Sequence, residues 1–279
     1  MPAPAHKRID PWKEERLTTV NQTLDVLTML RAKQWLCRGQ SSKYPKLLTS
    51  FDTRTPANVS RAEKLRRERT SINYFRATVR YFASGEELAA HDDLVALMVL
   101  RHYGVPTRLL DWTQSPFVAA YFAFADNDDH DGQIWSFDEI RYEIEGDNQW
   151  NRIRAKPMPK GGDGFRRGAD IEAFLPIDPK HPWFVCYFYD RFAGFHRQKA
   201  QEAAFSLTPE FGRDHADAIA SLLRKNAYYV RYAVSAGLKT ELKEILRERH
   251  GISRATLFPD SAGAAATTCA AIFAGDSQD

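Results

Sequence analysis

Three short stretches carry the side chains best suited to chemistry. In WLCRGQS at 35–41 an apolar run ends on Arg38, and Gly39 follows at once. A guanidinium held at the end of a buried strand offers a fork of donors that grips a phosphate or ribose bidentately. A glycine beside it lets a ligand or another backbone approach closely. Alternatively, Arg38 is a structural partner of Asp52 or Asp111.

The second stretch, HYGVPTRLLDWTQS at 102–115, crowds His102, Tyr103, Arg108, Asp111, Trp112, Thr113 and Ser115 around a helix end, a strand and a helix start. If TRLLDW alternates, Thr107, Leu109 and Asp111 share one face, and Arg108, Leu110 and Trp112 the other. Asp111 and Trp112 then emerge at the strand's C-terminal end, where open sheets bind ligands. Ser115-Pro116 opens a helix whose free amides could hold an anion. The plainer alternative makes Ser115 only an N-cap and Asp111 only a partner for Arg38 or Arg108. The third stretch, HRQKAQEAAF at 196–205, brings Gln201 and Glu202 to a junction between a short helix and a strand. One of the two should point inward, where it would orient a ribose hydroxyl or a nucleophile; the plainer alternative, above all for Glu202, is a solvent-facing polar residue.

Other chemistries are disfavoured. Eight histidines show no metal-ligand spacing, and there is no P-loop, GxGxxG or GxSxG motif.

The elements that must position these residues follow from periodicity. Leu17, Val20, Leu24, Leu27 and Leu30 predict a helix through the first thirty residues, ending near Lys33. Helices are expected over 59–83 and 86–102, the latter stopped by Gly104 and Pro106, and over SPFVAAYFAFA after Ser115. GQIWSF, WFVCYFY, AAFSL and AYYVRYAV read as strands, with a short helix after Asp214 and a longer one, LKTELKEILRERH, capped by Gly251. The stretch 145–182 reads as a long surface excursion, and the Ala-rich tail as helical to Phe273. Helices and strands alternate without regular βαβ spacing, which predicts an α+β domain: a mixed sheet core flanked by helices, not a doubly wound fold.

A chain of 279 residues with 43% hydrophobic and 27% charged residues can bury a sizeable core. Cys37, Cys186 and Cys269 form no CxxC pair, and no run is long and apolar enough for a membrane, so a cytoplasmic protein is expected. The basic run RAEKLRRER at 61–69 suggests either a solvated helix face or a weak footprint for nucleic acid.

CRGQS after a tryptophan, LRHYGVPTRLLDWTQSPFVAAYFA, RQKAQEAAFSL and ATLFPDSAG at 255–263 resemble, in that order, the motifs of the FRG domain family. Cys37 stands where that family has an aromatic residue. The resemblance implies one FRG domain over 34–263, with residues 1–33 as a helical extension and 264–279 as a helical tail. Its polar elements are also similar to the three-part R–S–E layout of ADP-ribosyltransferases, which implies a split sheet and NAD as substrate. On that layout Arg38, with Gly39, would bind NAD. Thr113 or Ser115 would brace the nicotinamide pocket beside Tyr103, Arg108 and Trp112, and Gln201 or Glu202 would take the acidic role. Gln201 matches the family pattern, but an amide is no general base, and Glu202 would face the other way from an extended segment. Acceptor activation then falls to Asp111 or His102, or is not needed. The resemblance implies an ADP-ribosyltransferase or NAD-cleaving toxin or phage-defence effector, with a nucleic-acid or protein acceptor and a neutralising partner. A non-catalytic nucleotide- or nucleic-acid-binding module is the alternative.

Overall fold

A computed structural model describes residues 10–79, 81, 93–126, 128–153, 184–187, 196–208, 210–259, 264–265 and 268. The chain opens with strand β1 (Glu14–Leu17), followed by helix α1 (Val20–Ala32) and strand β2 (Leu36–Gln40). Helices α2 (Ser50–Arg54), α3 (Arg61–Val79) and α4 (Asp93–His102) precede strand β3 (Leu110–Thr113). Helix α5 (Pro116–Phe124), strand β4 (Gly132–Phe137) and helix α6 (Glu139–Ile153) come next. Strand β5 (Phe184–Tyr187), helix α7 (His196–Ala200), strand β6 (Ala203–Leu207) and helix α8 (His215–Leu223) follow. Strand β7 (Tyr229–Val234) and helices α9 (Lys239–His250) and α10 (Arg254–Leu257) complete the order.

All seven strands join one sheet in the order β1-β7-β4-β2-β3-β6-β5. Only β1 and β7 run parallel; the other pairs are antiparallel, so the sheet is mixed and the fold is α+β. The ladder is uneven. β2 pairs with β4 over its whole length, and β3 with β6 likewise, but β2 meets β3 at a single register pair, Cys37 opposite Thr113. A four-stranded part and a three-stranded part therefore meet at a narrow seam.

The side-chain alternation of each strand divides the core. On one face Leu36, Trp135, Phe137, Leu110, Trp112 and Ala204 pack with Trp12 and with Ala216, Ile219 and Leu223 of α8. On the other face, Cys37, Ile134 and Tyr232 lie under α1, α5 and α9. Leu109, Phe205 and Leu207 of the smaller part lie instead under α4 and Ile72 of α3.

Several elements lie where the sequence places them. Ser115 is the N-cap of α5, its Oγ accepting from the Val118 amide at 3.4 Å, with Pro116 in the first turn. Gly104, at φ +80°, follows the end of α4, and Gly251, at φ +64°, caps α9. The N-terminal helix is a correction. Residues 14–17 form a strand along β7, and the helix starts only at Val20, where Thr19 Oγ1 accepts from the Gln22 amide at 3.2 Å. Leu17 keeps to the helical apolar pattern because the last residue of the strand is also buried. The expected excursion at 145–182 starts instead as helix α6, which runs to Ile153; its remainder, the rest of WFVCYFY around β5, the first residues of the helix expected over 86–102 and most of the Ala-rich tail lie outside the described residues. No helix among the described residues is long and apolar enough to cross a membrane.

Candidate functional site

The seam between β2 and β3 opens into a cleft of about 1000 Å³. Arg38, Gly39 and Gln40 of β2, Asp111, Trp112 and Thr113 of β3, and Gln201 and Ala203 at the start of β6 line it. The end of α4 adds Arg101, His102 and Tyr103, while Phe122, Arg197 and Phe258 come from α5, α7 and the residue after α10.

Arg38 replaces a missing rung of the ladder. Past the Cys37–Thr113 pair the two strands part, and Arg38 Nη1 crosses the gap to donate to the Asp111 carbonyl oxygen at 2.6 Å. The same Nη1 lies 3.9 Å from Asp111 Oδ2. Its side chain is 19% exposed, and Nε is buried without a hydrogen-bond partner among the described residues. Burial works against the guanidinium's charge and lowers its pKa, Asp111 pulls it back up, and Arg101 lowers it further. An arginine stays protonated through such changes.

Asp111 is clamped from the other side by Arg101. Arg101 Nε donates to Oδ1 at 3.1 Å and to Oδ2 at 3.0 Å, Nη2 donates to Oδ2, and Nη1 donates to Ser50 Oγ at 2.9 Å. Burial alone would raise the Asp111 pKa; the charge and hydrogen bonds of Arg101, with Arg38 behind them, outweigh it and hold the carboxyl below the usual range. Asp111 is the only acidic side chain among the described residues lining the cleft.

The remaining candidates divide. His102 and Tyr103 stand edge to face at 4.9 Å on the rim, and the His102 carbonyl accepts from Arg197 Nη1 at 3.0 Å. Trp112 borders the cleft, but its ring is buried in the core edge-on to Phe137, and Nε1 donates to Ser206 Oγ at 2.8 Å. Thr113 Oγ1 donates to the Gln201 carbonyl at 2.6 Å and accepts from the Ser115 amide at 3.0 Å, tying the two strands' junctions together. Gln201 faces the cleft, its Nε2 donating to the Leu257 carbonyl at 3.0 Å, which leaves Oε1 as an acceptor.

Three expected residues and one glycine play other parts. Arg108 precedes β3, so the strand alternation does not apply to it; it is 2% exposed and donates through Nε to Glu68 Oε1 at 2.6 Å and through Nη2 to Oε2. Its guanidinium also covers the Phe211 ring at 4.0 Å. Ser115 is a buried helix cap and not an anion site. Glu202 turns out of the cleft at φ +43°, and its Oε2 accepts from Arg31 Nη1 at 2.6 Å. Gly39 borders the cleft, but its missing side chain serves packing. A Cβ there would lie 1.8 Å from the Ala119 carbonyl oxygen of α5, so the close approach is that of a helix.

Arg101, Arg197 and Phe258 were not picked out by sequence reasoning. Arg101 adjoins His102 in the same stretch, and its place on the last turn of a helix pointing at Asp111 was a usable signal. Arg197 lies in the third stretch, one helical turn before Gln201, whereas Phe258 comes from an element far from the others in sequence, where only the tertiary fold shows the convergence.

The geometry defines a class: an α+β domain whose mixed sheet parts at a seam and holds an arginine-rich, aromatic-walled cleft there. Residues 33–132 match the model of the FRG domain. The matched region holds Arg38, Arg101, Asp111 and Thr113 and ends before Gln201. No curated protein and no solved structure matches the chain.

Proposed function

We propose that the cleft binds NAD and that the protein is an ADP-ribosyltransferase-like enzyme, passing ADP-ribose to an acceptor or to water. The observation that carries this reading is the convergence at one seam of Arg38, Thr113 and Gln201, which come from an early strand, a central strand and the start of a late strand. In the R–S–E layout these are the positions that hold the pyrophosphate, brace the nicotinamide pocket and orient the reacting ribose. Aromatic side chains at Tyr103 and Phe258 suit stacking of the two ring systems.

In the reaction the nicotinamide–ribose C–N bond breaks, its electron pair leaves on nicotinamide, and a nucleophile captures the ribose cation and loses a proton. Gln201 Oε1 would accept from a ribose hydroxyl. Neither Gln201 nor the lowered Asp111 carboxylate is a strong base, so acceptor activation falls to His102 at the rim, or the acceptor is a nucleophile needing little deprotonation. We place such an enzyme in the cytoplasm, as a toxin or phage-defence effector held in check by a partner.

The alternative nucleic-acid-binding role draws less support from α3. Glu63 binds both Arg66 and Arg67, and Lys64 is buried, so the basic run offers phosphates little concentrated charge.

Purified protein incubated with NAD labelled in the adenylate half, with protein or nucleic-acid acceptors, should transfer label or release nicotinamide, and Arg38→Ala should abolish both. Absence of both products with the wild-type chain would overturn the reading.

A further inference from the structure

We propose that Arg38 and Arg101 act together as a two-arginine cradle for a diphosphate group, and that Asp111 is the positioning residue that sets them side by side. This deepens the reading above and rests on it only for the molecule that carries the diphosphate.

Both guanidinium groups line the cleft, one from β2 and one from the last turn of α4. They converge on one atom, Asp111 Oδ2, which accepts from Arg101 Nη2 and lies 3.9 Å from Arg38 Nη1. Ser50 Oγ fixes Arg101 from behind. Among the described residues Arg38 spends a single N–H on protein, the bond to the Asp111 carbonyl, and Arg101 keeps N–H groups on both terminal nitrogens. A planar fork with spare donors matches phosphate oxygens bidentately, and two forks beside each other match two linked phosphates better than one.

The charge balance agrees. Two guanidinium groups against one carboxylate leave a net positive site, and no other acidic side chain among the described residues lines the cleft to offset it. Asp111 is poorly suited to accept a proton, being held below the usual carboxylate range, and well suited to hold two cations that would otherwise repel.

Two opposing expectations separate a positioning role from plain electrostatics. If Asp111 contributed only charge, Asp111→Asn would strengthen anion binding. If it positions the two arginines, the same near-isosteric change weakens it.

The test is calorimetric titration of the full chain and its variants with inorganic phosphate, inorganic pyrophosphate, ADP-ribose and NAD, with thermal melts to confirm folding. Pyrophosphate should bind about tenfold tighter than phosphate, as expected for one added charge-assisted contact. Arg101→Gln and Arg38→Gln should each weaken pyrophosphate and ADP-ribose by about tenfold or more. Asp111→Asn should weaken both ligands while the protein still melts cooperatively. Ser50→Ala, which removes only the rear support of Arg101, should weaken pyrophosphate by a smaller factor, and it serves as the second variant if Asp111→Asn does not fold. Unchanged pyrophosphate binding in Arg101→Gln, or tighter binding in Asp111→Asn, would overturn the cradle. Pyrophosphate binding that depends on both arginines, with ADP-ribose and NAD binding no better, would support the cradle and remove the NAD reading.

Discussion

His215, at the start of α8, is buried beneath β3 and β6, and its environment fixes its protonation. Trp112 Nε1 can only donate, so Ser206 Oγ accepts from it at 2.8 Å, and the same hydroxyl pairs with His215 Nδ1 at 2.7 Å. The His215 imidazole is buried, and its Nε2 has no hydrogen-bond partner among the described residues. Burial first, then the charges of Arg38 and Arg213, push its pKa down to about 3. Between the ordinary value of 6.5 and about 3 the unfolded chain takes up a proton that the folded chain refuses. The contribution to stability is therefore complete above the upper value and is lost as pH falls, by up to about 1.4 kcal/mol per pH unit. His215→Asn keeps an acceptor for Ser206 and removes the titration. Denaturant melts between pH 6.5 and 4.5 should fall less steeply for the variant; equal slopes would exclude His215 as their source. Arg108 poses a different test, because its partner Glu68 is as deeply buried. Arg108→Met should cost about 3–5 kcal/mol by stranding that carboxylate, while Glu68→Leu with Arg108→Met should recover most of the loss in the same melts. Neither role was legible in the sequence. Arg108 sits among cleft residues in HYGVPTRLLDWTQS, and only the fold shows that it points to α3.

At the scale of elements, α5 and the strand pair β2–β4 are the best specified by sequence. The small residues in SPFVAAYFAF announce close packing, and the structure shows what comes close: the Ala119 carbonyl meets Gly39, and the Ala123 carbonyl meets Gly132. Gly39→Ala would set its Cβ 1.8 Å from Ala119 O, and Gly132→Ala would set its Cβ 2.6 Å from Ala123 O. Neither backbone oxygen can rotate aside. Gly39→Ala should therefore destabilise by about 3 kcal/mol or more and Gly132→Ala by less, each read from denaturant midpoints. Gly39→Ala should also weaken ligand binding, since lifting α5 off β2 moves Arg38. The strand carrying Asp111 is legible in type and in phase, with Leu110 and Trp112 on one face and Leu109 on the other, but not in extent. TRLLDW is expected to alternate from Thr107, whereas β3 runs from Leu110 to Thr113, because Thr107 Oγ1 accepts from the Leu109 amide at 3.3 Å and makes a local turn there. Gln201 and Glu202 were placed at a helix–strand junction, and the choice between them depended on the positive φ at Glu202, which no pattern of residue types reveals.

For the whole molecule, the N-terminal residues decide whether the fold is a core with an extension or a single unit. The family resemblance implies an extension over residues 1–33, and the apolar periodicity agrees with a helix there, since a helix packed on a finished domain needs only one apolar stripe. The structure instead inserts β1 as the parallel edge strand of β7, with Leu17 opposite Val234. Trp12 enters the main core, its ring 4.9 Å from Trp135 and 5.0 Å from Tyr229, and its Nε1 donates to the Ala216 carbonyl at 2.8 Å. Arg231 on β7 takes Asp10 and Glu14 as its partners, at 2.8 and 2.9 Å. Deleting residues through Leu17 would thus bare the edge of β7, open a hole beside Trp135 and strip Arg231 of both partners. A bare edge of a sheet also invites pairing between molecules. The truncated chain should melt well below the full-length protein and should aggregate, and Trp12→Ala alone should cost about 3–5 kcal/mol. Melting that matches the full-length chain, with a monomeric profile in size-exclusion chromatography, would show that residues 10–17 are only an extension. Because β7 pairs with β4, and β4 holds β2 along its whole length, the same deletion should also loosen Arg38. Pyrophosphate affinity should then fall in the truncated chain although no residue lining the cleft has been removed.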